Sequence, residues 1–166
     1  MKKNMTLTYP ADPSRVSEML ADPDYQRLRA ERLRLSDAQV DVAARGRGFV
    51  ATVAGSVPAS ALPQAAQKFI RSAVSFSLAE SWGEPAEDGS RTGGVEVSVK
   101  GAPVRVGATS AMRPAADGAS TTVDLEVDLS VSVPLVGRSI EERAMGLTDR
   151  AVADEEARAA QWLSTH

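Results

Sequence analysis

Residues 120–163 decide the fold: STTVDLEVDLSVSV (120–133) runs through PLVG (134–137) into RSIEERAMGLTDRAVADEEARAAQWL (138–163). In the first segment Val123, Leu125, Val127, Leu129, Val131 and Val133 alternate with Asp124, Glu126, Asp128, Ser130 and Ser132. That period of two is the pattern of a half-buried antiparallel strand. Pro134 cannot donate to a ladder, so pairing is expected to stop there, and Gly137 permits a sharp change of direction. On a wheel of about 100° per residue, Ile140, Ala144, Leu147, Ala151 and Trp162 share one side. Thr148, Val152, Ala159 and Leu163 widen that stripe, while Glu142, Asp149, Glu156 and Ala160 lie opposite. The spacing predicts one long amphipathic helix from about Arg138 to Leu163, its apolar face rich in small residues. Glu155 falls inside the stripe and Arg158 at its edge. An isolated buried carboxylate is very costly, so Glu155 either pairs with Arg158 or Arg150 or serves as a polar group in a pocket.

Working back towards the N-terminus, the chain reads as strands with hairpin punctuation. Lys3–Tyr9 alternates, with Met5, Leu7 and Tyr9 on one side. Asp12 and Pro13 open a helix as cap and first-turn residue, with Val16, Met19 and Leu20 inward. Asp22-Pro23 breaks it. A second short helix follows over Asp24–Arg34, with Tyr25, Leu28 and Leu33 inward. Ser36–Arg45 and Phe49–Val57 are strands joined by a turn at Gly46-Arg47-Gly48. Residues 62–70 are helical or irregular. Val74–Trp82, Gly94–Lys100 and Val104–Met112 are three further strands. Neither an internal repeat nor a linker interrupts residues 1–166, which therefore read as a single domain.

Composition narrows the function classes. With 166 residues the chain can build a core of its own, and 43% hydrophobic with 25% charged residues is the balance of a globular protein. No apolar run approaches the roughly 18 residues of a membrane span. The N-terminal Met1-Lys2-Lys3-Asn4-Met5 lacks an apolar signal core, so a cytoplasmic location is expected. The chain has no cysteine, and its one histidine is His166, which speaks against thiol catalysis, iron–sulfur clusters, Ser–His catalysis and histidine-built metal sites. A net charge of −3, with the basic residues dispersed, and 4% aromatics disfavour a nucleic-acid interface. No metal or cofactor is expected.

The order of elements is a strand, two short helices, six more strands and one long C-terminal helix. Together with the stretches Leu62–Ile70 (LPQAAQKFI), Ala79–Trp82 (AESW), Val133–Gly137 (VPLVG) and Gln161-Trp162-Leu163, it resembles the helix-grip fold of the START/Bet v 1-like (SRPBCC) superfamily, and within it an uncharacterised actinobacterial family. The resemblance implies an α+β architecture: a curved antiparallel sheet of about seven strands (β-α-α-β6-α) wrapped around the C-terminal helix. It also implies a hydrophobic cavity between the two. Superfamily members bind lipids, sterols, polyketides or hormones; some are cyclases and others meet protein partners, so the fold leaves the function open.

On that architecture, Val74, Phe76, Leu78, Glu80 and Trp82 share the concave face of their strand. Glu80 either points into the cavity or meets water at the strand end, and Trp82 is either core or a ligand platform. Asp124, Glu126 and Asp128 fall on the convex, solvated side, and Arg45–Gly48 is a hairpin turn rather than a phosphate cradle. The inward set further includes Val40, Val42, Ala51, Val53, Val95, Val97, Val99, Val106, Ala108, Met112, Leu125, Val127 and Leu129. So many valines and alanines either leave room under the helix or let it pack close against the sheet. Phe76, Leu78, Glu80, Trp82, Val97, Val106, Met112, Leu125, Leu147, Ala151 and Glu155 are the candidate ligand-binding residues. A hydrophobic small molecule is the expected partner of a monomer or weak homodimer. The alternatives are a protein-interaction module with a filled core, and a cyclase or dehydratase with Glu80 as general base.

Overall fold

The structure, a computed structural model, describes residues 1–166. Strand β1 (Lys2–Tyr9) leads into helices α1 (Pro13–Leu20) and α2 (Pro23–Leu33), then strands β2 (Ser36–Arg45) and β3 (Gly48–Val57). A 3-10 turn at Ala59–Ala61 and the short helix α3 (Gln64–Gln67) precede β4 (Val74–Trp82), β5 (Arg91–Lys100), β6 (Val104–Pro114) and β7 (Thr121–Val131). Helices α4 (Gly137–Gly146) and α5 (Thr148–Thr165) follow. All seven strands form one antiparallel sheet in the order β1-β7-β6-β5-β4-β3-β2. This is the curved sheet with a C-terminal helical arm that the element order predicts.

Local chemistry explains the joints. The Asp12 carboxylate accepts from the amides of Ser14 and Arg15, and Asp22 accepts from that of Asp24, so each short helix starts on an aspartate cap followed by proline. The β2–β3 turn places Gly46 at φ 60°, a conformation glycine adopts without cost. At the end of β7 the positive φ falls on Leu135 (68°) rather than on Gly137. Gly137 instead permits close approach: a Cβ there would sit 2.2 Å from the Val131 carbonyl oxygen.

The expected single helix is two. α4 stops at Gly146, and the Leu147 amide reaches back to the Ala144 carbonyl (3.1 Å), a tighter turn than the α-helical ladder. The helical phase is reset there. Leu147, expected inward, is 62% exposed, and Met145 takes the buried position. The two helices also rest on different strands, α4 on β7 and α5 on β1. Lys3 Nζ donates to Thr148 Oγ1 (2.6 Å) and Asp149 Oδ1 (2.8 Å), and the Thr8 amide donates to Glu156 Oε1 (2.7 Å). These bonds hold α5 along the β1 edge.

On the opposite side α2 packs over β2 and β3. The helices therefore stand at the two margins of the sheet. Apolar packing closes one end, where Leu7, Val16, Leu20, Tyr25, Trp82 and Ala159 meet in the largest cluster. A smaller cluster of Leu129, Val131, Val133 and Met145 lies under α4, and a third joins Ala66, Ile70 and Val74. Only 30 of 166 residues are buried, so the core is thin for this length. The deficit is in the middle of the sheet, where inward-facing Leu78, Val95, Val97, Val106 and Ala108 are only half-buried.

Candidate functional site

The unfilled middle of the sheet opens into a cavity of about 410 Å³. Met5, Val53 and Leu78 line it from the sheet. Gln26, Arg29, Arg32 and Leu33 form the α2 wall, and Thr148, Ala151, Val152, Asp154 and Glu155 the α5 wall. On α5 these residues follow helical spacing, which turns Ala151 and Glu155 to one side.

A buried ionic network ties the two walls together. Arg32 Nη2 donates to Glu155 Oε2 at 2.5 Å, and Arg29 Nε lies 3.5 Å from Glu155 Oε1. Arg29 Nη1 donates to Glu80 Oε2 on β4 at 2.5 Å. Trp82 Nε1 donates to Glu80 Oε1 at 2.8 Å. Glu155 also accepts from the hydroxyls of Tyr25 (2.8 Å) and Tyr9 (3.4 Å). Two arginines thus balance two carboxylates, and tyrosine and tryptophan donors complete the hydrogen bonding, which is the condition for keeping charges buried.

The electrostatics follow from this arrangement. Burial works to raise the Glu155 pKa, but Arg29 and Arg32 outweigh it and leave the carboxyl below its ordinary value. Burial, reinforced by the Glu155 charge, pushes the Tyr9 and Tyr25 hydroxyls well above the usual tyrosine value. For Arg29, burial opposes the charged form, while Glu80 and Glu155 more than offset it and hold the pKa above its usual value. Near neutral pH Glu155 and Arg29 are therefore charged and the two phenols neutral.

The candidate residues from the sequence divide by place. Leu78, Ala151 and Glu155 line the cavity. Glu80 lies one layer behind, 6% exposed and shielded by Arg29. Trp82 and Met112 are buried in the large cluster, with Leu125 packed against it. Val106 packs against the α4 cluster, while Phe76 and Val97 are half-buried on the inward face. Leu147 is not part of the cavity. Glu155 pairs with Arg32 and Arg29, not with Arg158 or Arg150, which are exposed. Leu28 and Leu33, expected inward, are 39% and 43% exposed, and α2 instead buries Tyr25, Gln26 and Ala30. The residues the sequence reading missed are Arg29 and Arg32. Tyr25, Arg29 and Arg32 lie at i, i+4 and i+7 on one face of α2, and that spacing opposite two carboxylates on apolar faces was the available signal.

Comparison with known structures supports the architecture. TTHA0849 from Thermus thermophilus superposes with a TM-score of 0.55 at 15% identity, covering 99% of each chain. Norcoclaurine synthase from Thalictrum flavum gives 0.54 at 13% identity, over 100% of this chain and 95% of that one. The di-domain ARO/CYC BexL gives 0.56 at 15% identity, over 100% of this chain and 48% of that one. The chain thus shares with these structures the helix-grip fold, a curved antiparallel sheet with a C-terminal helix. No match was found among curated proteins. A family model described as "Protein of unknown function (DUF2505)" matches residues 4–163, and the chain belongs to that family.

Proposed function

We propose that this protein binds a small hydrophobic molecule in the cavity between α2 and α5. The observation that carries this reading is the cavity itself: about 410 Å³, with an apolar floor of Met5, Val53 and Leu78 and convergent polar groups at one end. Ligand sites typically span roughly 300–1,000 Å³ with this division of labour. A molecule burying roughly 200 Å² of apolar surface gains about 5 kcal/mol at roughly 25 cal/mol per Å², before association costs. Candidate contacts are Leu78, Ala151 and Glu155, with Phe76 and Val97 at the half-buried margin. The shared fold with norcoclaurine synthase and BexL supports this at the level of architecture only. The setting we propose is cytoplasmic, the protein acting as a monomer or weak homodimer.

The filled-core alternative conflicts with the open middle of the sheet. The catalytic alternative is weakened at its base. Glu80 already accepts from Trp82 and Arg29 and does not reach the cavity wall. Glu155 does reach it, but a carboxyl held below its ordinary pKa is a poor proton acceptor near neutral pH.

Native mass spectrometry on gently purified protein tests the reading. A discrete added mass, lost on denaturation, is expected. Ala151→Trp projects an indole into the cavity and should abolish uptake. Equal uptake of an apolar probe by wild type and this variant would place binding elsewhere and sink the proposal.

A further inference from the structure

Hydrogen-bond accounting at the polar end specifies what kind of group the cavity can receive, an inference that rests on the binding reading above. Each inner acceptor is already engaged by a donor of the protein. Glu155 Oε1 accepts from both tyrosine hydroxyls and lies 3.5 Å from Arg29 Nε, and Oε2 accepts from Arg32, so each oxygen already faces a donor. Glu80 is engaged by Arg29 on one oxygen and by Trp82 on the other. Gln26 donates its amide to the Leu20 carbonyl (2.6 Å), and its oxygen receives Arg29 Nη1 (3.4 Å). Thr148 Oγ1 accepts from Lys3 and donates to the Met145 carbonyl (2.7 Å).

Donors remain. Arg32 commits Nη2 alone, leaving Nε and Nη1, and Arg29 retains Nη2. The one buried side-chain nitrogen or oxygen without a partner is Ser110 Oγ, so these guanidinium nitrogens are reachable from open space. Both side chains line the cavity, at 18% exposure for Arg32 and 24% for Arg29. Asp154 is the remaining free carboxylate, and it lies at the exposed rim. Among the lining residues Arg29 and Arg32 balance Glu155 and Asp154, so the wall carries no net charge.

We infer that the occupant carries an uncharged hydrogen-bond acceptor, a ketone, quinone or amide carbonyl, on an apolar body, and that Arg32 reads this oxygen. An ammonium would meet the two guanidiniums at the inner end, where the carboxylate oxygens are already paired with them. A carboxylate would meet the donors but compete with Glu155 and Glu80 for the same guanidiniums.

The test is isothermal titration of the full chain with four probes of one apolar body: naphthalene, acetylnaphthalene, naphthoate and naphthylmethylamine. Acetylnaphthalene is expected to bind about tenfold or more tighter than naphthalene, the gain of one hydrogen bond to a charged group. Naphthoate and the amine should bind no tighter than naphthalene. In Arg32→Lys, which keeps a cation against Glu155 but loses the fork, the ratio of ketone to naphthalene affinity should fall towards one. Naphthoate or the amine binding tightest, all four binding alike, or an Arg32→Lys ratio equal to that of wild type would each overturn the inference while leaving the cavity reading intact. Failure of all four to bind would sink both. The probe series in wild type decides the matter even if the variant folds poorly.

Discussion

Glu155 is the residue on which most of the site converges, because it faces both arginines and both tyrosines from the middle of α5. Removing one partner of a buried ionic group leaves the others uncompensated, which typically costs about 3–5 kcal/mol. Glu155→Leu is therefore expected to lower unfolding free energy by about that amount in urea titration. A loss under about 1 kcal/mol would show that Arg29 and Arg32 simply turn to solvent. Ser110 supplies the contrast. Its hydroxyl is buried between Leu125 and Gly93 without a partner, so Ser110→Ala removes an uncompensated desolvation and should be neutral or slightly stabilising. At this scale the sequence was half legible. Glu80 and Glu155 stood out as carboxylates on apolar faces, and burial physics demanded cations for them. Their partners were not legible from neighbours in sequence, because Arg29 and Arg32 come from an element more than a hundred residues from Glu155, and near-sequence Arg158 and Arg150 fitted an isolated helix equally well.

The strands were legible because alternation is a local signal that tertiary packing reinforces: Ser36–Arg45 and Val74–Trp82 match β2 and β4 at both ends. The C-terminal helix was not, because a wheel assumes unbroken phase. Gly146, a poor helix former beside Leu147, was the one hint of the break. The phase reset gives a paired prediction. Met145 is 7% exposed in the cluster with Leu129, Val131 and Val133, so Met145→Ala should cost about 2–5 kcal/mol. Leu147→Gln, at a 62% exposed position, should change stability by no more than about 0.5 kcal/mol. An unbroken helix with Leu147 inward would reverse the order of the two losses, and paired thermal melts distinguish the cases.

The whole molecule is two helical margins joined across a partly empty sheet, and the ionic network is the strap between them, so solution pH should act on the global fold through that strap. Because the folded Glu155 carboxyl lies below its unfolded value, its contribution is complete above the unfolded carboxylate range, about pH 4.3, and fades as pH falls through the folded value. Tyr9 and Tyr25 act in the opposite sense: their folded pKa values are raised, so their contribution is complete below about pH 10 and is lost as pH climbs towards the folded values. Thermal melts across pH should therefore show a plateau bounded by an acid and an alkaline fall. Glu155→Gln should flatten the acid fall, and Tyr25→Phe the alkaline one, each independently of the other. An acid limb unchanged in Glu155→Gln would mean that acid unfolding runs through exposed carboxylates such as Asp88, Asp117 and Asp124, whose pKa values are lowered by local hydrogen bonds. Added salt separates these sources, since exposed pairs such as Arg113–Asp124 are screened while the buried strap is screened far less. An acid limb that persists at high salt in wild type and disappears in Glu155→Gln would assign it to the contact that holds α2 and α5 over the cavity.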